Sequence, residues 1–228
     1  NAWLTWEELN NETKYDLSQR KPLYVIGGVD LSKSTDLTSA SVLWKYPNDD
    51  NIYFKSMYWL PADILHERVE EDKIPYDVYV QQDLMRLSEG SVVDYKDVTA
   101  WFKELRDELG IYTRYIGYDS WNGSYLRDEL ASLIGGMNVL EVRQGAKTFS
   151  QPMFQMEALF KSHNIVYDNN PLTKWNLSNV FVEMDNNGNI RPVKSRKGKR
   201  TRIDGFMAML NAYVVFKDHE NEYDSLMS

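Results

Sequence analysis

One run of residues constrains this chain more than any other: Leu23-Tyr24-Val25-Ile26-Gly27-Gly28-Val29-Asp30-Leu31 carries no charge before its aspartate. A continuous apolar stretch with β-branched residues suits a strand buried on both faces. Two more strand candidates follow at 38–46 and 51–59, parted by the turn-forming Pro47-Asn48-Asp49-Asp50. Together the three predict an antiparallel meander.

After Pro61 the apolar period shifts towards 3.6. Ile64, Leu65 and Val69, then Val78, Val80, Leu84 and Leu87, predict two helices parted at Pro75. Asp97 is placed to cap a helix carrying Trp101, Leu105 and Leu109, and Gly110 ends it. Residues 112–118 read as a strand, 122–134 as a helix and 138–142 as a short strand, which is a parallel β-α-β unit. A helix at 151–163 precedes a hairpin of 179–184 with 189–193, closed by Asp185-Asn186-Asn187-Gly188. The last helix, 204–217, sets Phe206, Met207, Leu210, Tyr213 and Val214 on one stripe. The expected fold is α/β: a mixed central sheet of about five main strands, three antiparallel and two parallel, with helices on both faces and a small β-hairpin near the active edge.

With 43% hydrophobic residues, the 228-residue chain can bury a sizeable core. It has no cysteine, which excludes disulfides, thiolate metal sites and a cysteine nucleophile. His66, His163 and His219 lack ligand spacing and read as ordinary surface residues. No stretch approaches the ~18 apolar residues of a membrane span, and the first residues lack the pattern of a signal peptide, so a soluble, unsecreted protein is expected. Because residue 1 is Asn, a fragment of a longer polypeptide is expected. Residues 1–22 read as a linker or the end of a preceding domain, 23–217 as the main domain and 218–228 as a tail.

Asp30 stands at the carboxyl end of the first strand, and Asp119 repeats the arrangement in Ile116-Gly117-Tyr118-Asp119. Either could merely accept amides in a turn. Neighbouring parallel strands, however, present their carboxyl ends on one edge, where two such acids converge. Asp204 opens the final helix, where an N-cap is its ordinary role. Three carboxylates also meet the need of a pair of Mg²⁺ or Mn²⁺ ions for oxygen ligands. Asp36 or Asp185 could assist them.

The net charge of −8 argues against indiscriminate polyanion binding, but the charge is unevenly spread. Lys194, Arg196, Lys197, Lys199, Arg200 and Arg202 put six cations in nine residues leading straight to Asp204. Such a run is commonly a solvated loop; beside a metal site it suits phosphate contact with nucleic acid.

Gly28-Val29-Asp30-Leu31-Ser32 with Thr35-Asp36-Leu37-Thr38, then Tyr118-Asp119-Ser120-Trp121, Asn170-Pro171-Leu172 with Trp175 and Asn179, and Arg202-Ile203-Asp204-Gly205 occur in an order that resembles the nuclease domain of a tailed-phage terminase large subunit over roughly 23–217. The resemblance implies an RNase H-like fold in which Asp30, Asp119 and Asp204 bind two divalent ions and support cleavage of double-stranded DNA during genome packaging. It further implies a packaging ATPase domain in the same parent chain, portal and small terminase subunits as partners, no membrane partner, and the cytoplasm of an infected bacterium as the place of action. Gly-x-x-x-x-Gly-Lys-Ser/Thr does not occur here, in keeping with a fragment. Two alternatives stand beside this reading. An actin-like or sugar-kinase-type ATP phosphoryl transferase would also place an acid after its first strand, and a non-catalytic DNA-binding or docking module would use the acids only as caps.

Overall fold

The computed structural model describes residues 1–31, 37–119, 123–195 and 200–228. Its central strand is β1 (Val25–Asp30), as the apolar run requires, and all six residues are buried. β2 (Thr38–Trp44) and β3 (Ile52–Pro61) complete the antiparallel meander. On the other side of β1 lie β5 (Thr113–Tyr118) and β6 (Val139–Glu141), both parallel to it. The five main strands and their directions are those expected from the sequence.

Among the described residues the sheet has two further strands, both on β3. β4 (Arg86–Ser88) pairs parallel with Trp59–Pro61, and β7 (Ile165–Val166) with Ile52 and Tyr53. Sequence periodicity puts Leu84 and Leu87 in a helix instead. The helix of that region stops earlier: α2 (Leu65–Asp72) and α3 (Tyr76–Gln81) flank Pro75, and Asp83 then takes a positive φ of 55° that breaks the period. Three residues are too few for β4 to show a period of its own.

The helices follow α1 (Trp6–Leu9) in chain order. α4 (Tyr95–Leu109) is capped by Asp94, whose side chain accepts the Lys96 amide, rather than by Asp97, which accepts the Ser88 hydroxyl at 2.6 Å. α5 (Gly123–Ile134) is the crossover between β5 and β6. α6 (Ala146–Lys161) starts five residues before the expected 151, with Pro152 inside it. α7 (Pro171–Ser178) has Asn170 as N-cap and proline at its first position, a favourable start. The hairpin pairs β8 (Val180–Met184) with β9 (Ile190–Lys194) as a separate two-stranded sheet. α8 (Asp204–Asp218) and α9 (Glu220–Met227) end the described chain.

The two sheet faces have separate cores. Val25, Val29, Val42, Trp44 and Trp59 pack with Trp101 and Phe102 of α4. Ile26, Leu43 and Phe54 pack with α6 and α8, and Trp3, Leu4 and Leu9 of the opening segment join this core. Among the described residues no helix is long and apolar enough to cross a membrane.

Candidate functional site

The site is set by how closely α8 lies on the sheet. Gly117, Gly28, Ser41 and Ser56 are paired in succession across β5, β1, β2 and β3, forming a row of small residues. Paired residues share a face, and here it is the face that receives α8. A Cβ on Gly28 would collide with the Ala208 carbonyl and the Ala212 amide, so helix and strand meet backbone to backbone. Asn211 secures the crossing by donating to the Val29 carbonyl at 2.9 Å.

Two residues further along β1, on the same face, Asp30 pairs with Ser39, and Ser39 with Tyr58 of β3. Tyr58 lies under the start of α8, for a Cβ on Gly205 would collide with its hydroxyl, which sits 2.8 Å from Thr173. Burial pushes the Tyr58 hydroxyl pKa up, and the Asp204 charge adds to the rise. Burial likewise raises that of Tyr95 at the start of α4, with help from the Asp30 charge. Asp30 and Asp204 are therefore both on the α8 side of one sheet edge, only 8% and 4% exposed. Asp119, half-buried, follows β5 directly. Gly28 pairs with Gly117, and each acid stands two residues beyond its glycine. The pairing ends there, so both acids leave the same end of adjacent parallel strands, which run ~4.8 Å apart where they pair.

Asp204 is not the N-cap of α8. It is the first helical residue, Ile203 holds the cap position without a side-chain bond, and Asn176 of α7 accepts the Gly205 amide at 2.9 Å. Neither Asn176 nor the Thr173–Tyr58 contact stands out in the sequence, although Asn170-Pro171 signals the helix that carries Asn176 and Thr173.

Among the described residues no three His, Cys, Asp or Glu side chains come within ligating reach of one point. Like charges on one edge repel, so carboxylates need a cation to draw them inward. The donor set nevertheless suits a hard divalent ion: oxygen only, with two buried acids on rigid elements. Asp185 instead caps its own hairpin turn, accepting the Asn187 and Asn189 amides at 2.8 and 2.9 Å. Asp36 lies outside the described residues.

The basic run divides. Lys194 is exposed at the end of β9, and Arg196, Lys197 and Lys199 lie outside the described residues. Arg200 pairs with Glu71 and lies 3.9 Å from Asp72. Arg202 departs from the expectation of phosphate contact: it is 2% exposed, and its Nε donates to Asp72 at 2.6 Å, where Tyr76 also donates. So placed, the guanidinium is tied into the fold through Asp72 rather than presented to solvent.

A mixed sheet with acids at the ends of two neighbouring parallel strands, crossed by a helix that opens on a third, is an RNase H-like arrangement. The chain belongs to the family of terminase large subunit endonuclease domains, whose model matches residues 6–220. It is 28% identical to the terminase large subunit of Enterobacteria phage HK97 over 183 residues, 80% of this chain and 35% of that protein. The crystal structure of the HK97 large terminase superposes with a TM-score of 0.80 at 25% identity, covering 94% of this chain and 43% of that one. The chain thus spans less than half of these relatives. The large terminase nuclease of thermophilic phage G20c, solved with bound magnesium, matches at a TM-score of 0.56 and 16% identity over 93% of this chain and 96% of that one.

Proposed function

We propose that this chain is a divalent-metal-dependent endonuclease acting on double-stranded DNA, with Asp30, Asp119 and Asp204 holding two ions, Mg²⁺ or Mn²⁺. One observation carries the reading: β1 and β5 pair in parallel as far as Gly28 and Gly117, and each chain reaches an acid two residues on, beside the helix that opens on Asp204. When bound, the ions supply charge stabilisation to the phosphodiester and lower the pKa of the attacking water. The chain supplies the rest. Its carboxylates fix where the ions sit, and the close seating of α8 fixes Asp204 relative to β1. Lys194, together with the cations at 196, 197, 199 and 200, holds the DNA backbone beside the acids, while Arg202 anchors the run to Asp72.

With the chain spanning less than half of its longer relatives, we further propose, as the sequence resemblance implies, an ATPase portion in the parent chain, portal and small terminase subunits as partners, and the infected host's cytoplasm as the place of action. The reading is tested by incubating supercoiled plasmid with the protein, with and without Mn²⁺ or Mg²⁺. Linear product only with metal, and none with Asp119→Asn, is expected; metal-independent cutting or equal cutting by Asp119→Asn overturns it.

A further inference from the structure

We propose that Asn176 is a positioning residue for Asp204, acting through the start of α8 and not through the substrate. The inference rests on the metal-site reading above and concerns a residue outside the acid set.

A helix start leaves amides that its own N-cap side chain ordinarily takes. In α8 the cap position holds Ile203, which has no such oxygen. The Gly205 amide, next in line after Asp204, is taken by Asn176 Oδ1 from a different helix. Asn176 is itself fully buried, and its Nδ2 donates to the Leu172 carbonyl at 2.9 Å, so its side chain is held at both ends. Three residues on, Asn179 Nδ2 donates to the Arg202 carbonyl at 3.0 Å, two residues before Asp204. Thr173, three residues before Asn176, meets Tyr58, the residue against which Gly205 is wedged.

Helix α7 and its C-cap residue Asn179 therefore grip the backbone on both sides of Asp204. The consequence for the acid is positional. A carboxylate at a helix start swings with the first turn, and a first turn without a cap frays. Bound from α7, this turn keeps Asp204 at a fixed depth under the sheet edge. The cap coming from elsewhere also spares the Asp204 carboxylate the capping role that its sequence position suggests. Groups that orient a metal ligand without touching the metal typically change affinity by ~10–100-fold when removed.

The experiment compares the 228-residue wild type with Asn176→Ala, Asp204→Asn and Leu105→Ala. Leu105 is a buried residue of α4 on the opposite sheet face, so its truncation lowers stability without touching α8. Mn²⁺ affinity is measured by calorimetry at a temperature where circular dichroism shows each variant folded, and metal-free melting is recorded separately. Asn176→Ala should weaken Mn²⁺ binding about tenfold or more and lower kcat for plasmid cleavage with little change in KM for DNA. Leu105→Ala should melt lower yet bind Mn²⁺ as the wild type does. If the alanine variant does not fold, Asn176→Ser leaves a small polar group too short to reach the Gly205 amide and should weaken Mn²⁺ binding in the same way, and wild-type affinity in it likewise overturns the proposal. Wild-type affinity in Asn176→Ala while Asp204→Asn loses it, or equal weakening in Leu105→Ala, overturns the proposal. Wild-type affinity in Asp204→Asn would instead remove the metal-site reading and this inference with it.

Discussion

On one face of the central sheet, α4 buries Trp101 and Phe102 against Val25, Val29, Trp44 and Trp59. On the other, α8 lies over glycines and serines, with Ala208 and Ala212 against Gly28. Large interlocking rings bury much apolar area and tolerate small shifts of the helix above them. A backbone-on-backbone seat buries less per residue and permits almost no sliding, because the nearest neighbours of Gly28 are main-chain atoms. The first face holds the domain together; the second fixes where a side chain lies. The acids belong to the second.

The sharpest way to break this contrast is to remove an acid. Asp204→Asn or Asp119→Asn should lower metal-dependent cleavage by at least about 100-fold, the scale felt when one charge-stabilising group leaves a reacting centre. Mn²⁺ at ~100 times its Kd should stabilise the wild type by about 2.7 kcal/mol, and much less either variant, as thermal melts with and without metal would show. On the aromatic face, Trp101→Ala should cost ~3–5 kcal/mol in urea unfolding while Mn²⁺ affinity below its midpoint stays put. Loss of metal affinity there would erase the distinction between the faces.

The basic run allows a contrast of the same kind within nine residues. Arg202→Ala leaves Asp72 buried without its guanidinium and should cost ~3–5 kcal/mol of stability. Replacing Lys194, Lys197 and Lys199 with alanine should leave folding almost unchanged, and it should flatten the salt dependence of DNA binding by about 0.9 in log–log slope per lost contact. Filter binding at several salt concentrations measures this; an unchanged slope would mean the three lysines only face solvent.

The smallest expected effect lies between β4 and α4. Arg86 of edge strand β4 holds Glu104 of α4 through two bonds of 2.7 and 2.8 Å, and this bonding draws the Glu104 pKa below its ordinary value. A carboxylate lowered in the folded state stabilises above its unfolded pKa of ~4.3 and loses that contribution as pH falls through the folded value. Solvent screens the pair, so Glu104→Gln should cost about 0.5 kcal/mol at pH 7 in urea unfolding, a cost that fades as pH falls through the folded value. Cleavage at pH 7 should be unaffected.

What the sequence disclosed follows from the range of the forces involved. β1, β2, β3 and β5 announce themselves through local apolar runs, and their order follows from the meander and the β-α-β unit. β4 and β7 exist because β3 offers its edge, a fact that three and two residues cannot encode. The placing of Asp30 and Asp119 at strand ends was legible because a strand ending in an acid is a local pattern. The status of Asp204 was not: a local rule makes it a cap, whereas the capping oxygen comes from Asn176, 29 residues earlier in the chain. Arg202 looked like its basic neighbours because charge in a row says nothing about burial, and its partner Asp72 is 130 residues away.

The bond from Asn211 to the Val29 carbonyl joins residues 182 apart. At ~5–20 residues per second, a ribosome needs on the order of ten seconds or more to make the span between them. For that time the central strand can gain its sheet partners and its aromatic cover, but the small-residue trough on its other side has no occupant. Assembly of the acid edge is therefore a late event in the life of each molecule, and a chain interrupted before residue 204 holds two of the three acids with nothing to set them against the third.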